Sequence, residues 1–426
     1  MAAKKRKKIT TISMISTHGY FDPVPVLGKT DTGGQVIYIL QLAKGLSKLK
    51  VKVDIYTRWF DQSQKQVERV PGYPGIRVIR ISAGPWEFLP KEEIYDVLPE
   101  LSQNMVGFIK NKGLNYDVFH GHYVDGGIVT LDVADALGKP AFYTTHSLGA
   151  WKRERMGGDP EDMERAFKFN HRISEELRIF KSVRGQTVTT ALQREKLKDL
   201  YKFESDNVVV IPPCINIDNY CPIYPETANA GAKIDVPGKY VYCMSRIDTN
   251  KGLDLLLHAF AVVSKAMPDV HLIIGGGSNE PEERELEVRT MMNAIIAEKG
   301  LGDRVHMIGY VPDELVIPYY QNAELFVLPS TFEPFGITAL EAMSCGKPVI
   351  ASKLGGIREN IIPGKSGLLV DTTNTTELAD AMIYLLKNPR QASTMGQESR
   401  KFVCGTFSSE AIAQRHIEFY EKFMDA

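Results

Sequence analysis

Short apolar runs alternate with amphipathic stretches along almost the whole chain, and the series occurs twice. In the first series the runs Ile9–Ser16, Val51–Thr57, Arg77–Ser82, Asp117–His122, Ala141–His146, Gly185–Thr190 and Val208–Pro212 predict strands. Helical patterns lie between most of them, beginning with Val36-Ile37-x2-Leu40-x-Leu42-Ala43-x2-Leu46. The second series predicts strands at Tyr240–Ser245, Val270–Gly275, Arg304–Gly309, Leu325–Pro329, Pro348–Ala351 and Gly367–Val370. Its helices are expected over Leu253–Ala266, Glu283–Lys299, Asp313–Gln321, Ile337–Ser344 and Thr376–Lys387, with a last amphipathic segment at Ser408–Phe423. Strand–helix alternation of this kind implies α/β architecture with parallel, doubly wound sheets. The irregular stretch from Pro212-Pro213 to Pro237-Gly238 separates the series, so the expected domains are 1–215 and 216–407. A chain of 426 residues exceeds what one core supports, which also argues for two domains.

A formal net charge of −1 provides no field for nucleic acid or an anionic membrane. The one charge run, Lys4-Lys5-Arg6-Lys7-Lys8, reads as a solvated arm. The five cysteines (Cys214, Cys221, Cys243, Cys345, Cys404) have neither metal nor redox spacing, and reduced thiols in a cytoplasmic protein are expected. No apolar run approaches the ~18 residues of a membrane span, and the basic start leads into a strand rather than a signal peptide.

The stretch from Ser330 to Gly346 carries the most chemistry. It follows the predicted strand at Leu325 and turns at Gly336 into a helix, so it lies at a sheet's carboxyl end, where open α/β sheets bind ligands. The amides of Gly336, Ile337 and Thr338 open that helix and suit an anion. Glu333 and Glu341 bracket them, and carboxylates accept from hydroxyls, so the pattern suits a ligand bearing both hydroxyls and phosphates. Arg246 and Lys251, five residues apart at another strand-to-helix turn, can converge on a diphosphate. Gly33 and Gly34, preceding Gln35, would let a phosphate or sugar approach the backbone. The 17–35 loop containing them reads as an active-site loop. Gly275-Gly276-Gly277 could likewise approach a ligand. His146, ending a predicted strand, can hydrogen-bond a sugar oxygen. His120-Gly121-His122 lacks a supporting acidic or thiol ligand, so no metal site is expected. No G-x-G-x-x-G follows the first strand, which weakens a dehydrogenase reading.

Glu333-Pro334-Phe335-Gly336 followed by Leu340-Glu341-Ala342-Met343-x-Cys345-Gly346-Lys347-Pro348-Val349-Ile350 resembles the signature of retaining GT-B glycosyltransferases of family 4. Arg246-x4-Lys251 is similar to the family's diphosphate-binding pair. His146-Ser147-Leu148-Gly149 is similar to its active-site histidine motif, and Thr32-Gly33-Gly34-Gln35 to an element of its sucrose-forming members. Ser16-Thr17-His18-Gly19-Tyr20-Phe21-Asp22, Gly84-Pro85-Trp86-Glu87-Phe88 and Tyr123-x-Asp125-Gly126-Gly127 look like the sucrose-phosphate and mannosylfructose-phosphate synthase group.

The resemblance implies a GT-B fold, with two Rossmann-like domains facing across a cleft and a last helix, 408–426, returning to the first domain. It implies retaining transfer of a hexosyl group from a nucleotide diphosphate sugar, GDP-mannose or UDP-glucose, to fructose 6-phosphate. The second domain would bind the nucleotide, with Glu341 on the ribose, Glu333 on the donor sugar, and Arg246, Lys251 and the Gly336–Thr338 amides on the diphosphate. The first domain would bind the acceptor through Gln35, Lys91, Tyr123, Lys152 and Arg172, with His146 contacting the donor hexose. No cofactor and no metal are expected, and the partners would be small-molecule substrates alone. A dianionic phosphate needs several cations that free fructose would leave unpaired, so Lys91, Lys152 and Arg172 argue against a sucrose-synthase-like acceptor. The intact set of Glu333, Glu341, Arg246, Lys251 and His146 argues against a non-catalytic sugar-nucleotide-binding module.

Overall fold

The first sheet is built from β1 (Thr11–Ile15), β2 (Lys52–Trp59), β3 (Val67–Val70), β4 (Tyr73–Ser82), β5 (Val118–His122), β6 (Ala141–Thr145), β7 (Gly185–Val188) and β8 (Val208–Val210). Their order across the sheet is β3-β4-β2-β1-β5-β6-β7-β8. The computed structural model describes residues 8–24, 34–156, 159–223, 234, 236, 238–278, 280–281 and 283–424. Helices cover both faces of the central strands, and β5 and β6 are buried throughout, although they carry His120, His122, Thr144 and Thr145. The sheet departs from the all-parallel expectation at one edge, where β3 pairs antiparallel with β4. Pro71-Gly72 makes the intervening turn, with Gly72 at φ 77°. The exposed, charged sequence of β3 suits an edge strand and hides it from a search for apolar runs.

The second sheet contains β9 (Lys239–Met244), β10 (Val270–Gly275), β11 (Val305–Gly309), β12 (Leu325–Leu328), β13 (Val349–Ser352) and β14 (Leu368–Val370). It is wholly parallel, in the order β11-β10-β9-β12-β13-β14. Counted within the sheet this is the Rossmann order 3-2-1-4-5-6, and its direction reverses between β9 and β12. In the first sheet the equivalent reversal falls between β1 and β5. Segments leaving these four strand ends carry most of the candidate residues.

The chain divides into two compact units, 1–214 with 409–426, and 215–408. The last helix, Ser409–Phe423, packs within the first unit. A Cβ on Gly45 would stand 2.1 Å from the Ser409 carbonyl oxygen, so helix Gly34–Lys48 and the last helix meet backbone to backbone. Tyr420 and Phe419 then pack edge-on against Phe142 of β6. A further helix, Pro389–Phe407, precedes it and was not predicted. Its buried stripe of Ala392, Met395, Gly396, Ser399, Val403 and Phe407 is too rich in small and polar residues to stand out as periodic. Among the described residues no helix is long and apolar enough to cross a membrane.

Candidate active site

In the second unit, the turns after β9 and β12 lock onto each other. Gly252, at φ 62°, starts helix Leu253–Ala266 where a Cβ would meet the Pro329 carbonyl oxygen at 2.3 Å. Thr331 N–H donates to the Asn250 carbonyl at 3.3 Å. This brings Lys251 Nζ to 3.0 Å from Glu333 Oε2, which also accepts from Ser330 Oγ at 3.2 Å. The two residues expected to act on different parts of a ligand are therefore an ion pair, 14% and 13% exposed. Arg246 is exposed and has no ion pair among the described residues. Gly276 serves the fold rather than a ligand: at φ 120°, its Cβ would fall 1.9 Å from the Ser245 carbonyl oxygen.

Gly336 caps helix Ile337–Ser344 in the left-handed region, φ 84°, and a Cβ there would strike Ile357 Cδ1 at 2.2 Å. The helix has no side-chain cap. Among the described residues the amides of Gly336, Ile337 and Thr338 make no hydrogen bond, and Ile337 is 41% exposed. Open N–H groups at the positive end of a helix are an anion-binding element. One turn further on, Glu341 Oε2 accepts from Tyr320 O–H at 2.8 Å. Burial pushes its carboxyl up to about 7, against the opposing hydrogen bonds from Tyr320 and Tyr220.

In the first unit, Tyr123 begins helix Tyr123–Leu137 with φ 64°, a strained value for a residue with a bulky side chain. Its ring lies between the Arg172 guanidinium, 4.6 Å from the ring centre, and the His18 ring at 4.9 Å. Tyr123, Arg172, Lys91 and Lys152 line one recess, together with Tyr95 and Glu92, so residues from four separated segments converge. The recess has room for about 10 Å³, one water's worth, which suits an anionic group at its mouth rather than a whole sugar. Arg172 is less free than its motif suggests. It is 4% exposed, and its Nε donates to Glu176 Oε1 at 2.9 Å, while Nη2 donates to the Ser147 carbonyl and hydroxyl oxygens. Burial would lower its basicity, and Glu176 more than reverses that. Glu176 was not anticipated; its only sequence signal is the i,i+4 spacing from Arg172. The remaining positive charge of the recess rests on Lys91, 3.7 Å from Glu92, and on Lys152, which lies over the Phe167 ring. Gln35 does not line this recess; its Nε2 donates to Ser16 Oγ at 3.0 Å, beyond β1.

Asp125, fully buried, was also missed as a working residue. Its Oδ2 accepts from Thr17 Oγ1 and lies 2.8 Å from His18 Nδ1. Burial alone would raise the carboxyl, but the charge and hydrogen bond of His18, with that of Thr17, hold it below the usual range. His146 stands just beyond β6, with Nε2 3.0 Å from His122 Nδ1. Burial lowers the His146 imidazole to about 3, helped by His18, so it is neutral at physiological pH. Gly34 is exposed, with open space around its Cβ position, whereas residues 25–33 of the 17–35 loop, Gly33 included, and Lys4–Lys7 lie outside the described residues. The described residues contain no group of three or more His, Cys, Asp or Glu side chains able to hold a metal. A separate cavity of about 330 Å³, bordered by Lys52, Arg69, Arg77 and Asn115, opens at the opposite, amino-terminal edge of the first sheet and includes none of the candidate residues.

Two Rossmann-ordered sheets, each with its charged and open-backbone residues at the carboxyl edge, define an enzyme of the GT-B glycosyltransferase class. Residues 32–219 match the model of Glycosyltransferase Family 4, and residues 226–402 that of Glycosyl transferases group 1. Mannosylfructose-phosphate synthase of Agrobacterium fabrum is 35% identical over 415 residues, 96% of this chain and 91% of that protein. D-inositol 3-phosphate glycosyltransferase of Corynebacterium urealyticum is 31% identical, covering 96% of this chain and 95% of its own. The solved sucrose-phosphate synthase of Thermosynechococcus elongatus superposes with a TM-score of 0.77 at 31% identity, covering 97% and 98% of the two chains. The chain belongs to glycosyltransferase family 4, alongside the mannosylfructose-phosphate and sucrose-phosphate synthases.

Proposed function

We propose that the protein transfers a hexosyl group, with retention of anomeric configuration, from GDP-mannose or UDP-glucose to fructose 6-phosphate, giving mannosylfructose-phosphate or sucrose 6-phosphate. The convergence of Lys91, Lys152, Arg172 and Tyr123 on one recess carries this reading, because several cations gathered around one small recess suit a phosphorylated acceptor. The names of the relatives support it, since each acts on or makes a phosphate ester.

As the donor's anomeric bond loosens, negative charge builds on the departing diphosphate. Arg246, the Gly336–Thr338 amides and Lys251, once released from Glu333, meet that charge where it develops. Glu333, freed in the same exchange, accepts from donor hydroxyls, and Glu341 accepts from the ribose. In this reading fixed protein groups do the neutralising, and chelators leave turnover unchanged.

The test is a matrix of both donors against fructose 6-phosphate, free fructose and D-inositol 3-phosphate, with product and released nucleotide identified. Transfer to fructose 6-phosphate with one donor well ahead of the other is expected. Efficient use of free fructose, or preference for the inositol phosphate suggested by the second relative, would overturn the acceptor assignment. Nucleotide binding without transfer to any acceptor would point to a non-catalytic module.

A further inference from the structure

We propose that His122 is a positioning residue that holds His146 in its Nδ1–H tautomer, so that His146 meets the substrate as a hydrogen-bond donor and not as a base. The placement of His146 at the substrate rests on the function proposed above; the tautomer rests on the geometry around His122 alone.

The strand register sets the arrangement. His122 of β5 lies opposite Thr144 of β6, so His146, two residues further along, projects from the same face of the sheet as Thr144. His120, two residues before His122, shares that face too, and the two rings stack at 4.6 Å with only 6° between their planes. His120 cannot turn, because Nδ1 engages Tyr420 O–H of the last helix and Nε2 lies 2.7 Å from Thr144 Oγ1. Tyr38 closes the other side, its ring edge-on to His146 at 5.0 Å and to His122 at 6.0 Å. The His122 ring is thereby fixed with Nδ1 3.0 Å from His146 Nε2, and its own Nε2 is buried with no partner among the described residues.

One hydrogen is shared between the two facing nitrogens, and its source is decided by the far side of His122. Were His146 to donate from Nε2, neutral His122 would carry its hydrogen on Nε2, a buried N–H without an acceptor. Were His122 to donate from Nδ1, its Nε2 would be left with an unpaired lone pair only. Orphaned buried N–H groups are the rarer defect, so the second arrangement prevails. Burial of both rings keeps them neutral, which is the state this argument requires. The His146 hydrogen is then on Nδ1, which has no partner among the described residues, while its only lone pair is already engaged at Nε2. Such a ring can donate to a hexose oxygen but cannot accept a proton from the acceptor hydroxyl.

Nitrogen-15 NMR of the full-length protein labelled at histidine, with His146 assigned through His146→Gln, tests the assignment directly. A pyrrole-type signal at Nδ1 and a pyridine-type signal at Nε2 are expected, without titration between pH 5.5 and 8. The reverse pattern overturns the proposal. His122→Phe keeps the stack on His120 but removes the N–H; the His146 signals should shift toward the Nε2–H form and kcat should fall about tenfold, with acceptor KM little changed. His122→Asn replaces Nδ1–H with an amide N–H and should recover most of both readouts. Unchanged signals and kcat in His122→Phe would also sink the idea. Full transfer by His146→Ala, with the expected wild-type spectrum, would instead remove His146 from the active site and leave the tautomer assignment supported.

Discussion

The two carboxyl-edge surfaces solve opposite problems. In the second unit the groups facing the edge are uncommitted or weakly committed: Arg246 is exposed, three helix-opening amides are unbonded among the described residues, and Lys251 holds Glu333 in a partly hydrated pair. In the first unit Asp125, Glu176 and His122 are fully buried, and their positions are fixed by neighbours before any ligand arrives. Charge that develops during a reaction is best met by donors held in place with their hydrogen bonds still open, as these amides are. A substrate that must be recognised unchanged is best met by groups already fixed.

Replacing both Arg246 and Lys251 by Ala should strike this contrast hardest, lowering kcat by at least ~10³-fold with little change in stability. Retained turnover in steady-state assays would place the leaving group elsewhere. The buried wall should instead declare itself in acid. His120, His122 and His416 are all depressed by burial, His416 to about 4, so each binds its proton more readily unfolded than folded. Their contribution to stability is complete above the unfolded value near 6.5 and is lost as pH falls through 6.5 toward the folded values. Denaturant titrations should find the protein weaker at pH 5.5 than at 7, by about 1 kcal/mol for each histidine kept neutral in this way. A flat profile over that range would mean the cluster is hydrated.

Lys152→Ala should raise the KM for fructose 6-phosphate by about 10- to 100-fold and leave donor KM unchanged, as loss of a charge-assisted contact requires. Arg172→Ala should additionally lower the melting temperature, because Glu176 would be left as a buried unpaired carboxylate. Equal behaviour of the two variants would erase the distinction between a partly exposed cation and a buried, paired one. The smallest effect concerns Glu341. With its carboxyl near 7, a ribose that donates to the ionised form should expel a fraction of a proton when nucleotide binds at pH 6.5. Calorimetry in buffers of different ionisation enthalpy measures that release, and Glu341→Gln should abolish it.

The α/β alternation was readable because parallel strands buried on both faces leave continuous apolar runs, and Leu325–Leu328 is a clear instance. The cationic residues were readable because they sit in short motifs. What escaped were partnerships: Glu176, one helical turn from Arg172, sits at a spacing too common among helix charges to single it out, and the contact of His122 with His146 joins adjacent strands. The histidine contact leaves no local pattern, since it depends on which strands lie side by side. The pairing of Lys251 with Glu333 escaped for the same reason, 82 residues separating them.

Residues 215–408 are, in effect, inserted between two parts of the first unit, whose final helix supplies Tyr420 to His120 and Phe419 to the face of β6. On the ribosome the usual order of completion is therefore inverted: the segment synthesised first must wait for the Ser409–Phe423 helix to emerge before its core is whole. A premature stop codon just before residue 409 would leave residues 215–408 complete and cripple the unit encoded first.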